Sequence, residues 1–281
     1  MKFEKWQALG NDYLILEVDD LPWELTAARV EWLCDPHFGV GSDGVLLLSR
    51  SEDPEFVAEL RIFNPDGSEA ELSGNGAREA ILYLRRHGWT EADEFAIKTV
   101  AGPIRPTITG ELTCSVDMGK ASTASKDFPS GGEDGRGTVR SAGREWEFQH
   151  VSIGNPQCAI VVGEELEDLD LGAIGPDIEG NALFPNRTNV SFLAIEGSRV
   201  RARIFERGVG ETLSSGTGAS GAAVTAYLLG ATSPIVVELD GGELEVEVGE
   251  DLAVRLNGWA EPVCAGELAP ELVKALADAD E

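Results

Sequence analysis

Two serines stand at matched places in this 281-residue chain. Ser73-Gly74-Asn75-Gly76-Ala77 recurs as Ser215-Gly216-Thr217-Gly218-Ala219, at an offset of 142 residues. A Ser-Gly-X-Gly turn feeding a helix gathers backbone N–H groups in a small concave space. Its glycines let a ligand approach the backbone, and the helix N-terminus favours an anion. A helix dipole contributes about 0.3–1 kcal/mol to such an anion in exposed settings. Two such turns facing one cleft would hold a carboxylate and leave its α-carbon between Ser73 and Ser215. That arrangement suits moving a proton on or off carbon. A single turn of this type more often serves tight packing of helix on strand; the matched pair favours a site.

The polar residues ahead of each turn are matched as well. Asn64-Pro65-Asp66-Gly67-Ser68 precedes the first and Glu206-Arg207-Gly208-Val209-Gly210-Glu211 the second, again 142 residues apart. A repeated position that is asparagine in one half and Glu-Arg in the other suits an asymmetric ligand held in a symmetric frame. Glu206 and Arg207 are candidates for a zwitterion's ammonium and carboxylate, since arginine binds carboxylate bidentately. An ordinary surface ion pair is the alternative.

The elements that must position these residues are also repeated. Gly10-Asn11 returns as Gly154-Asn155 at an offset of 144, and helical stretches over 78–88 and 220–230 each end in glycine. Three landmarks in order at nearly one offset indicate a duplicated domain. The expected halves are 1–117 with 263–281, and 118–262. The Ser-, Gly-, Asp- and Pro-rich stretch 120–143 reads as a linker. Period-two apolar patterning predicts strands over 2–18, 56–64, 95–100, 150–162, 188–194, 200–205, 235–239 and 244–248. Further helices are predicted over 28–33 and 270–277, the latter opening on proline. Many strands with one long helix per half is an α+β pattern, not an alternating βαβ one.

Charge bounds the partners. With 22 Lys and Arg against 50 Asp and Glu, the net charge is −28, which repels nucleic acid and anionic lipid. The acids are spread along the whole chain, as suits solvation in a salty cytoplasm better than one acidic docking surface for a basic protein. No apolar run approaches the roughly 18 residues of a membrane span, and the N-terminus does not read as an export signal, so a cytoplasmic location is expected. Cys34, Cys114, Cys158 and Cys264 are isolated, and His37, His87 and His150 do not cluster with them. Neither a zinc site nor a disulfide framework is implied, and isolated cysteines in a chain this long are usually buried.

Taken together, Lys2-Phe3-Glu4-Lys5 with Gly10-Asn11-Asp12, Phe63 to Ala70 with Gly74 to Arg78, Gly154-Asn155-Pro156, and Glu206-Arg207-Gly208 with Gly210-Glu211-Thr212 and Gly216-Thr217-Gly218 resemble the diaminopimelate epimerase family over nearly the whole chain. The resemblance implies two pseudo-symmetric domains, each a mixed, barrel-like sheet wrapped around a central helix, with substrate between them. It also implies interconversion of LL- and meso-diaminopimelate in lysine biosynthesis, by proton transfer at the α-carbon, without pyridoxal phosphate or metal. The small amino-acid substrate is then the expected partner; nucleic acid and membrane are not, and a homodimer stays open. By resemblance Asn11, Asn64, Asn155 and Asn189 fix the substrate's ends, and Glu206 and Arg207 are its charged anchors. The backbones of Gly74, Asn75, Gly216 and Thr217 form the α-carboxylate cradle.

The chain departs from the family at the reacting positions. The family's two catalytic cysteines fall at Ser73 and Ser215, and its histidine after the Gly-Asn-Pro segment falls at Gln157. A thiol titrates near ~8.5 and exchanges protons readily when tuned, whereas a serine hydroxyl needs another group to activate it. Losing sulfur at both faces is expected to cost orders of magnitude in rate, at about 1.36 kcal/mol per factor of ten. Three readings stand. Serines act with help from Glu206; or the cradle is kept for another isomerisation or for binding alone; or the serines were introduced to trap a substrate complex. The change at Gln157, which trapping does not need, speaks against the last. Cys158 beside it reads as a buried thiol rather than a substitute acid.

Overall fold

The computed structural model describes residues 1–71 and 73–279; Asp280 and Glu281, which end the first expected half, lie outside the described residues. Along the chain the elements are β1 (Lys2–Ala8), β2 (Asn11–Glu17), α1 (Ala27–Cys34), β3 (Val45–Arg50), β4 (Ala58–Phe63), β5 (Glu69–Ala70), α2 (Gly74–Arg86), β6 (Ile97–Thr99), β7 (Gly102–Ile104), β8 (Pro106–Gly110) and β9 (Thr113–Lys120). Then follow β10 (Arg136–Ser141), β11 (Arg144–Ser152), β12 (Pro156–Val161), α3 (Leu171–Glu179), β13 (Asn189–Glu196), β14 (Arg199–Glu206), β15 (Gly210–Thr212), α4 (Gly216–Leu228), β16 (Ile235–Leu239), β17 (Gly242–Val248), β18 (Ala253–Trp259), β19 (Glu261–Glu267) and α5 (Pro270–Ala277). Two compact units result: Met1–Val116 with Trp259–Glu281, and Asp117–Gly258.

The duplication holds over the matched strands of each sheet. In the first unit the order is β19-β1-β2-β3-β4-β6-β7, with β5 paired to β4. In the second, β10-β11-β12-β13-β14-β16-β17-β18 run in order, with β15 paired to β14. The β2–β3 and β12–β13 pairs are both parallel, as are β4–β6 and β14–β16. The crossovers that make them parallel are α1 and α3, then α2 and α4. Each unit is therefore a mixed sheet around a central helix, an α+β architecture.

Why the strands read as apolar runs follows from those layers. In β2, Tyr13 to Leu16 are all buried, and in β3, Val45 to Leu48; strands covered on both faces lose the in-out alternation. Leu14, Leu16, Val45 and Leu47 pack with Val30 and Leu33 of α1 and Leu276 of α5, while α2 packs against β1, β2 and β3. In the second unit Val190, Phe192 and Phe205 pack with Ile174 and Ile178 of α3. Each such side chain contributes about 1.5–3 kcal/mol on full burial.

Several expectations are corrected. Residues 2–18 and 150–162 do not form single strands. A tight reversal divides each, with Leu9 and Gly10 at φ of 54° and 80° and Gly154 at 84°. The central helices begin at Gly74 and Gly216, four residues before the expected 78 and 220. The glycines thus form the first helical turn rather than a loop ahead of it. The stretch 120–143 is not wholly linker, because β10 lies inside it. Helix α3, with Pro176 inside it, gave no periodic signal strong enough to be predicted. Cys264 is exposed, unlike the other three cysteines.

Candidate functional site

In the first unit, Ser73 is the residue that caps α2. Its backbone is extended (φ −129°, ψ 123°) and its Oγ accepts from the Gly76 N–H at 3.1 Å. Such a cap is worth about 1 kcal/mol to the helix. Glycine at position 76 lets Leu46 pack close, since an added Cβ would meet Leu46 Cδ2 at 2.9 Å and force it to shift. Tyr13, inward on β2 and 6% exposed, donates its hydroxyl to Ser73 Oγ at 3.2 Å.

Around that serine, Asn75 Nδ2 donates to Asn11 Oδ1 (3.2 Å), and Asn11 Nδ2 donates to Asp43 Oδ2 (3.0 Å). Fully buried Arg78 donates to Asn75 Oδ1 (2.6 Å) and to the Gly74 carbonyl (3.1 Å). The helix start is therefore tied to the β1–β2 hairpin and carries a buried cation. Burial pulls the Arg78 pKa below its ordinary value. Asn64 turns locally, its Nδ2 donating to Ser68 Oγ at 3.0 Å. Glu79, next in α2, is fully buried, and among the described residues its carboxyl oxygens have no hydrogen-bond partner at normal distance. Burial pushes its pKa well above the carboxylate range, against the pull of Arg78.

The second unit repeats the frame with different side chains. Ser215 caps α4, its Oγ accepting from Gly218 N–H at 3.2 Å, and is 4% exposed. Ser215 also donates to Glu206 Oε2 at 2.9 Å, while Thr212 donates to Glu206 Oε1 at 2.8 Å. Burial raises the Glu206 pKa, and the two hydroxyl donors partly offset that rise. Asn155 Nδ2 donates to Thr217 Oγ1 at 3.1 Å, the counterpart of the Asn75–Asn11 contact. Asn189 Oδ1 accepts from the Arg207 backbone N–H (2.9 Å) and its Nδ2 donates to the Pro156 carbonyl (3.0 Å).

Glu206 and Arg207 are thus not a surface ion pair. Arg207 is exposed, and its guanidinium donates to the Asn186 carbonyl at 3.1 Å. Gln157 is fully buried, donating to Asn155 Oδ1 at 2.7 Å and Thr217 Oγ1 at 3.3 Å. It lies against Gly221, whose Cβ would meet Gln157 Cγ at 2.8 Å. Gly221 is the repeat of Glu79. Cys158 is fully buried and its burial pushes the thiol pKa up, so it stays protonated and inert.

Around Ser73 the first unit brings together Asn11, Gly74 and Asn75; around Ser215 the second brings together Asn155, Glu206, Gly216 and Thr217, with Asn189 behind them. Asn64 and Arg207 lie on the flanking turns. Sequence reading gave no role to Tyr13, Asp43, Arg78 or Thr212. The signal for Tyr13 was present: it follows Asn11 by two residues as Gln157 follows Asn155.

Comparison with known proteins fits this geometry. The family model described as diaminopimelate epimerase matches residues 3–124 and 149–258. A Nostoc protein named diaminopimelate epimerase 2 is 39% identical over 278 residues, covering 97% of each chain. A Synechococcus diaminopimelate epimerase is 41% identical over 261 residues, covering 88% of this chain and 90% of that one. Among solved structures, a predicted epimerase from Pseudomonas aeruginosa superposes with a TM-score of 0.66 at 18% identity, over 95% of this chain and 98% of that one. A hydroxyproline epimerase from Agrobacterium vitis gives 0.64 at 16%, over 99% and 98%; likenesses this distant speak to the fold alone. Matched over both halves and nearly end to end, the chain belongs to the diaminopimelate epimerase family.

Proposed function

We infer that this protein is an isomerase that interconverts LL- and meso-diaminopimelate on the route to lysine, with Ser73 and Ser215 at the two proton-transfer positions. The observation that carries this reading is the Ser215–Glu206 hydrogen bond at 2.9 Å. A carboxylate held against the hydroxyl supplies what a serine lacks as a base. Gly74 and Asn75 in one half, Gly216 and Thr217 in the other, offer helix N-termini to the α-carboxylate. There the positive end of the dipole also stabilises the charge that builds up when the α-proton leaves. Asn11, Asn64, Asn155, Asn189 and Arg207 are assigned to the ends of the substrate. The halves 1–117 with 263–281 and 118–262 each supply one proton-transfer group.

The −28 charge, spread along the chain, supports a salty cytoplasm as the setting, with neither nucleic acid nor anionic membrane as partner. The test is deuterium incorporation at the α-carbon in D2O and high salt. Exchange with either LL- or meso-diaminopimelate supports the reading, and its absence with both removes it. Oxygen in place of sulfur at both reacting positions favours one second reading, a non-catalytic binder of a small zwitterion. Saturable heat of binding without α-hydrogen exchange would select that alternative.

A further inference from the structure

The two serines face different partners, a phenol in one half and a carboxylate in the other. A hydroxyl has one proton to give and two lone pairs to receive with. Ser215 Oγ gives its proton to Glu206 and receives from Gly218 N–H, so one lone pair is left to accept. Ser73 Oγ receives from Gly76 N–H and shares a hydrogen bond with the Tyr13 hydroxyl at 3.2 Å, a group that can pass it a proton. The repeated frame does not force this difference. The counterpart of Tyr13 is Gln157, which turns to Thr217 instead, and the counterpart of Glu206 is Asn64, which turns to Ser68.

From this we propose that Tyr13 is the proton source behind Ser73, as Glu206 is the proton sink behind Ser215, so that each serine is a conduit rather than the titrating group. The proposal rests on the epimerase reading above. In one direction, Ser215 Oγ takes the α-proton as its own proton passes to Glu206, and the C–H electron pair stays on the carbon. Ser73 then gives its proton to the other face of that carbon and takes one from Tyr13. Glu206 ends protonated and Tyr13 ends as phenolate, so one proton has entered and one has left. The reverse direction starts from that tautomer, which carries the same total number of protons. Tyr13 is a positioning residue in this scheme, acting only through Ser73. Its phenol, near ~10 in ordinary surroundings, and the Glu206 carboxyl bracket neutral pH in a way that no serine does.

The test is Tyr13→Phe, which removes one oxygen and keeps the ring. That ring is held by close packing against Gly44, where an added Cβ would lie 2.7 Å from Tyr13 Cε1. The expected result is a kcat about 10²–10⁴-fold lower in both directions with KM little changed, and loss of the alkaline limb of the pH profile. In D2O, the stereoisomer whose proton leaves through Ser215 should exchange its α-hydrogen faster than it inverts, and the other stereoisomer should do neither. An unchanged kcat, or an alkaline limb that stays in place, overturns the relay. A slowdown with exchange and inversion reduced equally for both stereoisomers also overturns it. Should the variant fold poorly, 3-fluorotyrosine at position 13 gives the same decision. Its more acidic phenol must move the alkaline limb to lower pH, and an unmoved limb rejects the idea. If the unaltered protein exchanges no α-hydrogen, it is the epimerase reading that fails, not the relay alone.

Discussion

The two halves share a backbone plan and differ in what they bury beside their central helices. Around α2 the frame holds a buried arginine, a buried glutamate and a tyrosine hydroxyl at the serine; around α4 it holds a glutamine, a glycine and a carboxylate at the serine. Matched strands and matched caps have therefore been kept while the polar groups behind them diverged. Backbone geometry sets where a serine sits, and the side chain facing it sets which way a proton can travel.

The largest expected effect separates the halves by chemistry. Glu206→Gln keeps an oxygen near Ser215 but cannot take its proton, so kcat should fall about 10²–10⁴-fold, with KM affected less. A large rise in KM at constant kcat would instead make Glu206 a substrate anchor. In the unaltered protein, activity should also fall as pH drops through the Glu206 pKa, which burial places above the ordinary carboxylate value. That acidic limb should vanish in the variant.

Packing separates the halves next. Gly221→Ala drives a methyl into Gln157, within 2.8 Å of its Cγ, and overpacking of this kind costs about 1–3 kcal/mol. A drop in Tm that disappears in the double variant with Gln157→Ala would confirm that these two residues share one space. Capping should instead make the halves alike. Ser73→Ala and Ser215→Ala each remove an N-cap and should cost about 1 kcal/mol in denaturant unfolding, whatever they do to activity. Unequal losses would mean that Tyr13 or Glu206 also braces its helix.

The smallest expected effect lies with Glu79. A carboxyl whose pKa is raised on folding binds its proton more tightly in the native chain. Its contribution is fully present below the unfolded value, about 4.3, and is lost as pH rises through the folded value. Glu79→Gln should therefore match the parent Tm near pH 4 and exceed it progressively at higher pH. A parent that instead gains on the variant as pH rises through about 4.3 would show that Arg78 holds the residue charged.

Much of this was legible in the residues. The duplicated SGxGA segments, the Gly-Asn landmarks and the 142-residue offset carried both the repeat and the serines, because glycine turns and caps are fixed by local backbone needs. Residues 270–277 were also predicted as observed, with proline at the first turn. What periodicity missed was set by tertiary layers. Strands such as β3, buried on both faces, lose their alternation, and α3 carries a proline that breaks the expected pattern. The hairpins at Leu9-Gly10 and Gly154 carried turn signals in Gly10-Asn11-Asp12 and Gly154-Asn155-Pro156, which were read only as landmarks of the repeat. Tyr13 was legible only through the repeat, as the counterpart of Gln157; nothing local marks a tyrosine on an inward strand position as facing a serine sixty residues away.

The caps carry a further consequence. Each hydroxyl that would handle a proton also closes the first turn of a buried helix, with Ser73 and Ser215 both receiving an N–H from three residues onward. Durability and turnover therefore draw on one atom. A substitution at either position must therefore be judged on the stability of its helix as well as on rate.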